Sequence, residues 1–280
     1  MKLAVITDSS ADIASNYLEH ADLYRLEIPI SIDGIDYEPS KMTHEDWYEL
    51  MRAGKDVPKT AQPSVAVLSE LLKSLQEKGY SHVIGLFLSS GISGFYQNIF
   101  YLQDEFPEME IKFPDSLITS SPLGFMAEQA LDMAAAGKSF DEVLSFLQYQ
   151  IDNDYAFMLV DDLHWLAKGG RLSKGGEILG SLLNIKPILQ FSEDGNVEVY
   201  DKVRTQKKSM AELKKLLLKF GDKEKHKIFI IHAEADEQAQ ELYDYAIEQG
   251  FPDVEKVSFG PVIVTHLGLG ALAYAMSPKK

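Results

Sequence analysis

SHVIGLFLSSGISGFYQN, residues 81–98, sets an apolar, strand-like run against three serines and two glycines and then returns at once to the inner face of a helix. Strand, polar turn and helix in succession are the repeating unit of an α/β sheet, whose ligands bind outside the carboxyl ends of the strands. The alternation continues outward in both directions. Strands are expected at LAVITD (3–8), LYRLEIPI (23–30), HVIGLFL (82–88), EIKFP (110–114), AFMLV (156–160), IKPILQF (185–191), KIFIIHA (227–233) and VEKVSFG (254–260). Between them, SVAVLSELLKSLQEKG, SFDEVLSFLQYQID, SMAELKKLLLKFG and DEQAQELYDYAIEQG repeat their apolar residues at helical spacing, three of them with a glycine just beyond the end. SIDGIDYEP reads as a hairpin, and NVEVYDKVRT pairs with ILQFSEDG through a turn at residues 193–195. IDNDY interrupts the apolar pattern near residues 150–156. The expected organisation is therefore two α/β domains, 1–155 and 156–280, with a ligand between them.

Composition narrows the functions open to such a chain. It has 280 residues and no cysteine, which excludes disulfides, thiolate nucleophiles and thiolate metal sites and fits a cytoplasmic setting. The start, MKLAVITDSS, is too short in apolar residues for a signal sequence, and no run long enough to span a membrane occurs, so no stable membrane insertion is expected. A net charge of −16 argues against a nucleic-acid surface, which needs clustered lysine and arginine. Residues 165–208 reverse that balance, with eight basic side chains (Lys168, Arg171, Lys174, Lys186, Lys202, Arg204, Lys207 and Lys208) against five acidic ones. These are either ordinary solvated side chains or a docking surface or anion site.

Several short motifs carry chemistry, each with a plainer structural reading beside it. A strand ending at Leu88 and a helix opening near Ser93 would leave backbone N–H groups and hydroxyls free for a carboxylate or phosphate; Ser93 could equally cap the helix. VPKTAQPS (57–64) is a second hydroxyl-rich loop, with Ser64 an N-cap and Thr60 able to join Ser93 on one anion if the two loops meet. WLAKGGRLSKGG (165–176) leaves Arg171 able to fork onto a carboxylate. It contains no Walker loop. GLGALA (268–273) mimics a nucleotide-binding fingerprint with too little chain after it to complete one. His266 stands where a strand-like VIV run meets a helix-like LGALAYAM, and could simply bond the turn. ITDSSADI (6–13) puts Asp8 and two serines after the first strand, read as capping. No H-E-x-x-H and no G-x-S-x-G occurs, so a hydrolase triad has little support; a stand-alone lipid hydrolase or phosphotransferase using Ser93 and His266 is the enzyme alternative, and a non-catalytic regulatory or interaction protein is the third.

Taken in order across nearly the whole chain, ITDSSADI, PKTAQPS, FLSSGISGFYQN, LAKGGRLS, LLNIKPIL with DGNVEVYDKVRTQKKS, and VIVTHLGLGA resemble the DegV family. The resemblance implies a two-domain α/β protein that is not itself an enzyme and that holds one long-chain fatty acid between its domains, without a further cofactor. It also implies the role of fatty-acid-binding subunit of a bacterial fatty acid kinase, whose separate ATP-dependent subunit phosphorylates the bound carboxylate for phospholipid synthesis. Carried over by residue, the carboxylate falls to Thr60, Ser93 and the backbone of Gly94, the supporting network to Arg171 and His266, and kinase docking to Arg204. The chain departs from the family pattern at Ala61, Phe95 and Leu269, in place of a serine, a threonine and a proline.

Overall fold

The computed structural model describes residues 1–173 and 185–280; Lys174 of the basic window lies outside them. Strands β1 (Leu3–Asp8), β2 (Leu23–Leu26), β6 (His82–Gly85) and β7 (Glu110–Lys112) form an all-parallel sheet in the order β2-β1-β6-β7. Each residue of β1 is buried, because helices cover both faces of the sheet; such a strand reads as one continuous apolar run. A small antiparallel sheet, β4-β3-β5, joins β3 (Ile30–Ile32), β4 (Ile35–Tyr37) and β5 (Lys59–Thr60), the first two as the hairpin turned at Asp33 and Gly34. The third sheet has the order β10-β9-β8-β13-β11-β12. Its members are β8 (Tyr155–Leu159), β9 (Ile188–Phe191), β10 (Val197–Asp201), β11 (His226–His232), β12 (Val254–Ser258) and β13 (Leu272–Pro278).

Packing assigns a function to each sheet face. In β13, Leu272, Tyr274 and Met276 point to the outer core beneath the helices Gln206–Phe220 and Asp236–Glu248, while Ala273 and Ala275 point inward. Val65–Glu77, capped by Ser64, covers the outer face of the parallel sheet with Leu68, Leu72 and Leu75. Between the parallel and the six-stranded sheets lies the helix Ser120–Ala135, buried along nearly its whole length and packed on β1, β11 and β13. On one side the two lobes are tied by polar contacts. Tyr48 donates to the Phe259 carbonyl at 2.6 Å, Trp47 Nε1 donates to Thr265 Oγ1 at 3.0 Å, and Arg52 pairs with Glu234.

The expected elements differ from the observed ones where backbone chemistry overrides side-chain pattern. HVIGLFL leaves the ladder after Gly85, whose bare Cα lies against the rings of Phe87 and Phe113. LYRLEIPI divides between two sheets around Pro29, which has no N–H to donate. The largest correction concerns the C-terminus, where the order of elements is the reverse of that expected: Pro261–Leu267 is a helix and Leu272–Pro278 a strand. Pro261 supplies the preset φ of a first helical residue, and Gly268, at φ 80°, ends the helix in a conformation only glycine adopts freely. Burial on nearly all sides lets the β-branched residues Val262, Ile263, Val264 and Thr265 be helical, since tertiary packing outweighs their weak intrinsic preference.

Candidate functional site

A cavity of about 590 Å³ lies between the inner face of the six-stranded sheet and the loops that leave the carboxyl ends of β2, β6 and β7, within the roughly 300–1,000 Å³ range of small-molecule sites. Its floor is set by small side chains in register: Ala156 opposite Ala275 and Met158 opposite Ala273, with Ile231 next to Ala273 on the other side. Three alanines on neighbouring strands leave a trough where larger residues would close the sheet against the helix above it. Phe259, Val262, Ile263 and Leu166 add apolar walls.

The polar end is built from four segments. Thr60, at the end of β5, places its Oγ1 2.8 Å from Nε2 of His266, on the last turn of Pro261–Leu267. Gln62 lies against Gly94, where a Cβ would come within 2.8 Å of its Nε2, and accepts a hydrogen bond from Asn98 Nδ2 at 2.8 Å. The TAQPS and SSGISG loops therefore do meet, through Gln62. Arg171 donates to the carbonyl of Gly169 at 2.6 Å, and a Cβ on Gly169 would stand 3.0 Å from Nδ1 of His266. No carboxylate among the described residues pairs with Arg171, and burial pulls its guanidinium below the ordinary value. Burial, then the neighbouring Arg171 charge, pushes the His266 imidazole down to about 3. Its Nδ1 has no hydrogen-bond partner among the described residues.

A ring held neutral in this way links pH to folding. In the unfolded chain an imidazole titrates at about 6.5. In the folded chain it does so at about 3. Between those values the unfolded chain takes up the proton and the fold does not, so this residue's contribution is unchanged above pH 6.5 and falls as the pH drops toward 3. The ring nitrogens of His266, followed by nitrogen-detected NMR, are expected to stay in the neutral pattern from pH 8 to 5. A titration centred near 6.5 would contradict the geometry.

The loop carrying Ser93 is held from below. Asp8, at the end of β1, accepts hydrogen bonds from Leu88 N at 2.9 Å, Ser10 N at 2.9 Å and Ser10 Oγ at 2.6 Å. Burial pushes its carboxyl up while those donors pull it back. Asp8 is thus a tie between two strand ends rather than a helix cap. Thr119 and Ser120 also line the cavity, but their hydroxyls donate elsewhere, to Ser10 Oγ at 3.0 Å and Asp12 Oδ2 at 2.7 Å.

Thr60, Ser93, Gly94, Arg171 and His266 all line this one cavity. Arg204 does not: it is exposed on the turn before Gln206–Phe220. Ser93 is followed by a short helix, Phe95–Ile99, that starts beyond Gly94; its Oγ accepts from Phe95 N at 3.2 Å. Among the described residues the Ser93 hydroxyl donates to no acceptor, and His266 bonds Thr60 rather than Ser93, so these two do not form the nucleophile–base pair of a hydrolase. Of the departures from the family pattern, Ala61 lines the cavity, whereas Phe95 is buried edge-on against Phe87 in the outer core, ring centroids 5.1 Å apart. The alanine trough was not expected from sequence. Its signal was the small–large alternation of LAYAM, hidden by the helical reading of that stretch.

Comparison with known proteins agrees with this architecture. The profile of the family described as "Uncharacterised protein, DegV family" matches residues 2–279. The DegV domain-containing protein YqaC of Lactococcus lactis is 60% identical over 281 residues, covering 100% of each chain. The fatty acid binding DegV family protein SAG1342 of Streptococcus agalactiae superposes with a TM-score of 0.96 at 45% identity, covering 100% of each chain. DegV, a fatty acid binding protein from Bacillus subtilis, does so with 0.88 at 30%, again covering 100% of each. The chain with this three-sheet frame and polar-ended cavity belongs to the DegV family.

Proposed function

We propose that this protein binds one long-chain fatty acid in the cavity between its sheets and presents the carboxylate to a separate ATP-dependent kinase subunit that forms an acyl phosphate for phospholipid synthesis. The observation that carries the binding half is an apolar trough ending in Thr60, Ser93, Gly94 and Arg171, a hydrogen-bonding group around an oily slot. Structural neighbours described as fatty acid binding proteins support the same ligand class. A tail of about 16 to 18 carbons buries roughly 15 methylenes at about 0.8 kcal/mol each, on the order of 12 kcal/mol before association costs. The tail supplies affinity and the head supplies direction, since an unpaired carboxylate beside an apolar slot carries a large desolvation cost.

In this reading the neutral His266 donates from Nε2 to Thr60 Oγ1, which frees the threonine hydroxyl to donate into the cavity. A carboxylate only accepts, so this tautomer is the one that serves it. Ser93 Oγ and Gly94 N complete the donors, and Arg171 adds charge. The chain then acts as carrier rather than catalyst: the carboxylate oxygen attacks a phosphoryl group that the partner holds, and positioning and charge neutralisation govern the rate.

The kinase half rests on charge. Lys202, Arg204, Lys207 and Lys208 are exposed and carry no ion pair among the described residues, whereas Lys186 in the same window is paired with Asp161 at 2.6 Å. Such a patch suits an acidic partner face or an incoming nucleotide. Denaturing the purified protein and weighing what it releases tests the first half; one long-chain fatty acid per chain is expected, and an empty extract from protein offered fatty acid overturns the reading. Arg204→Glu is expected to lower acyl phosphate formation by the two-component system about tenfold or more while palmitate affinity stays as in the wild type. Equal turnover removes the docking role.

A further inference from the structure

We infer that Ser89 and the β9–β10 turn together form a clasp that positions the head-group loop, so that a residue outside the cavity sets where Ser93 and Gly94 stand. The inference rests on the reading that the carboxylate lies at Thr60, Ser93 and Gly94. Ser89 is fully buried, and every polar atom it has is engaged. Its Oγ donates to the Gly195 carbonyl of the opposite lobe at 2.8 Å and accepts from Gly91 N at 3.1 Å. Its carbonyl accepts from Ile92 N and Ser93 N, both at 3.1 Å, and its own N–H donates to the Ile118 carbonyl at 2.9 Å. The loop to Ser93 is wound around this one residue, and its side chain alone joins the loop to the opposite lobe.

Sterics make the contact one that only these residues can form. A Cβ on Gly91 would overlap the Gly195 carbonyl, and a Cβ on Gly195 would overlap Ser89 Oγ. Gly195 also sits at φ 70°, and Leu117, packed against it, is a non-glycine residue at φ 54°. Two glycines back to back and a leucine in a costly conformation are what remains when backbone must meet backbone across the lobes. Phe191 and Val197, which flank the same turn, line the cavity. The hairpin therefore touches the space for the tail with its strands and the head-group loop with its turn. Tyr48, Trp47 and Arg52 tie the lobes from a different element, the helix His44–Ala53, and none of them touches the Ser93 loop in this way.

A clasp that positions donors affects recognition of the head group and not of the tail, which separates it from a general packing role. The test measures the affinity of palmitate and of hexadecanol, the same tail with a neutral head, for the wild type and for Ser89→Ala. The wild type is expected to prefer the acid. Ser89→Ala is expected to bind palmitate about 10- to 100-fold more weakly, the worth of one or two misplaced donors to a charged group, and hexadecanol within about twofold of the wild type. Equal weakening of both ligands, or no change in either, overturns the clasp while leaving the carboxylate site standing. A wild type that does not distinguish acid from alcohol overturns the carboxylate reading itself, and the clasp with it. Should Ser89→Ala lose its cooperative melt, amide hydrogen exchange of the wild type decides the matter. Gly91, Ser93 and Gly195 are expected to exchange through one shared opening that palmitate slows equally, and separate openings overturn the inference.

Discussion

Thr60→Val combined with Ser93→Ala is expected to weaken palmitate binding by about 10²- to 10⁴-fold, since each hydroxyl donor to a carboxylate contributes roughly 1.5–3 kcal/mol and 1.4 kcal/mol is a factor of ten. Valine keeps the shape of Thr60, which packs in β5 opposite Ile30, so the small sheet is retained and the change falls on the hydroxyl. The removal also leaves His266 Nε2 facing a methyl group. In the proposed site the two residues would share one ligand group, so their effects need not add, and the single substitutions belong in the same experiment. The melting temperature should fall by a few degrees, because the buried His266 Nε2 loses its partner at a cost of about 1–3 kcal/mol, so the affinities are compared well below it. Displacement of a fluorescent fatty acid measures the affinities. A double variant within threefold of the wild type would place the carboxylate elsewhere.

Ala275→Phe tests the other end of the cavity. Ala275 is buried opposite Ala156, two residues further along β13 than Ala273. A phenyl ring there fills the trough that the tail would use. If it displaces about four to five methylenes at about 0.8 kcal/mol each, palmitate loses roughly 10²- to 10³-fold. Short acids such as decanoate, which do not reach that depth, should change by less than about threefold, so the rank order of chain lengths inverts. An unchanged rank order would show that the tail does not run over the alanine floor. A uniform loss for all lengths would point to strain in the sheet instead, which thermal melting of the unliganded variant resolves.

The strand-and-turn alternation was legible because a parallel strand covered on both faces is apolar along most of its length: LAVITD was expected at residues 3–8, and β1 spans Leu3–Asp8 with only Thr7 and Asp8 polar. The helices with one apolar stripe, such as Val65–Glu77 and Gln206–Phe220, were legible for the same kind of reason. Ser120–Ala135 was not, since a helix buried nearly all round carries no stripe to read. Pro261–Leu267 was misread because its β-branched residues argue for a strand, and the Pro and Gly at its ends were the better signal. At the site, the hydroxyls and the arginine could be named from motifs. The ties that fix them could not, because Asp8 to Leu88 and Ser89 to Gly195 join residues far apart in the chain. Sequence spacing contains no trace of such pairs.

In the proposed complex the fatty acid enters the cavity tail first, with its carboxylate held at the polar end. A crystal structure of the protein with palmitate tests it most directly. The carboxylate oxygens are expected within about 3 Å of Thr60 Oγ1, Ser93 Oγ and Gly94 N, and the tail over Ala273, Ala275 and Ala156. A carboxylate at the alanine end, or a slot closed by its own side chains with palmitate bound elsewhere, would contradict it.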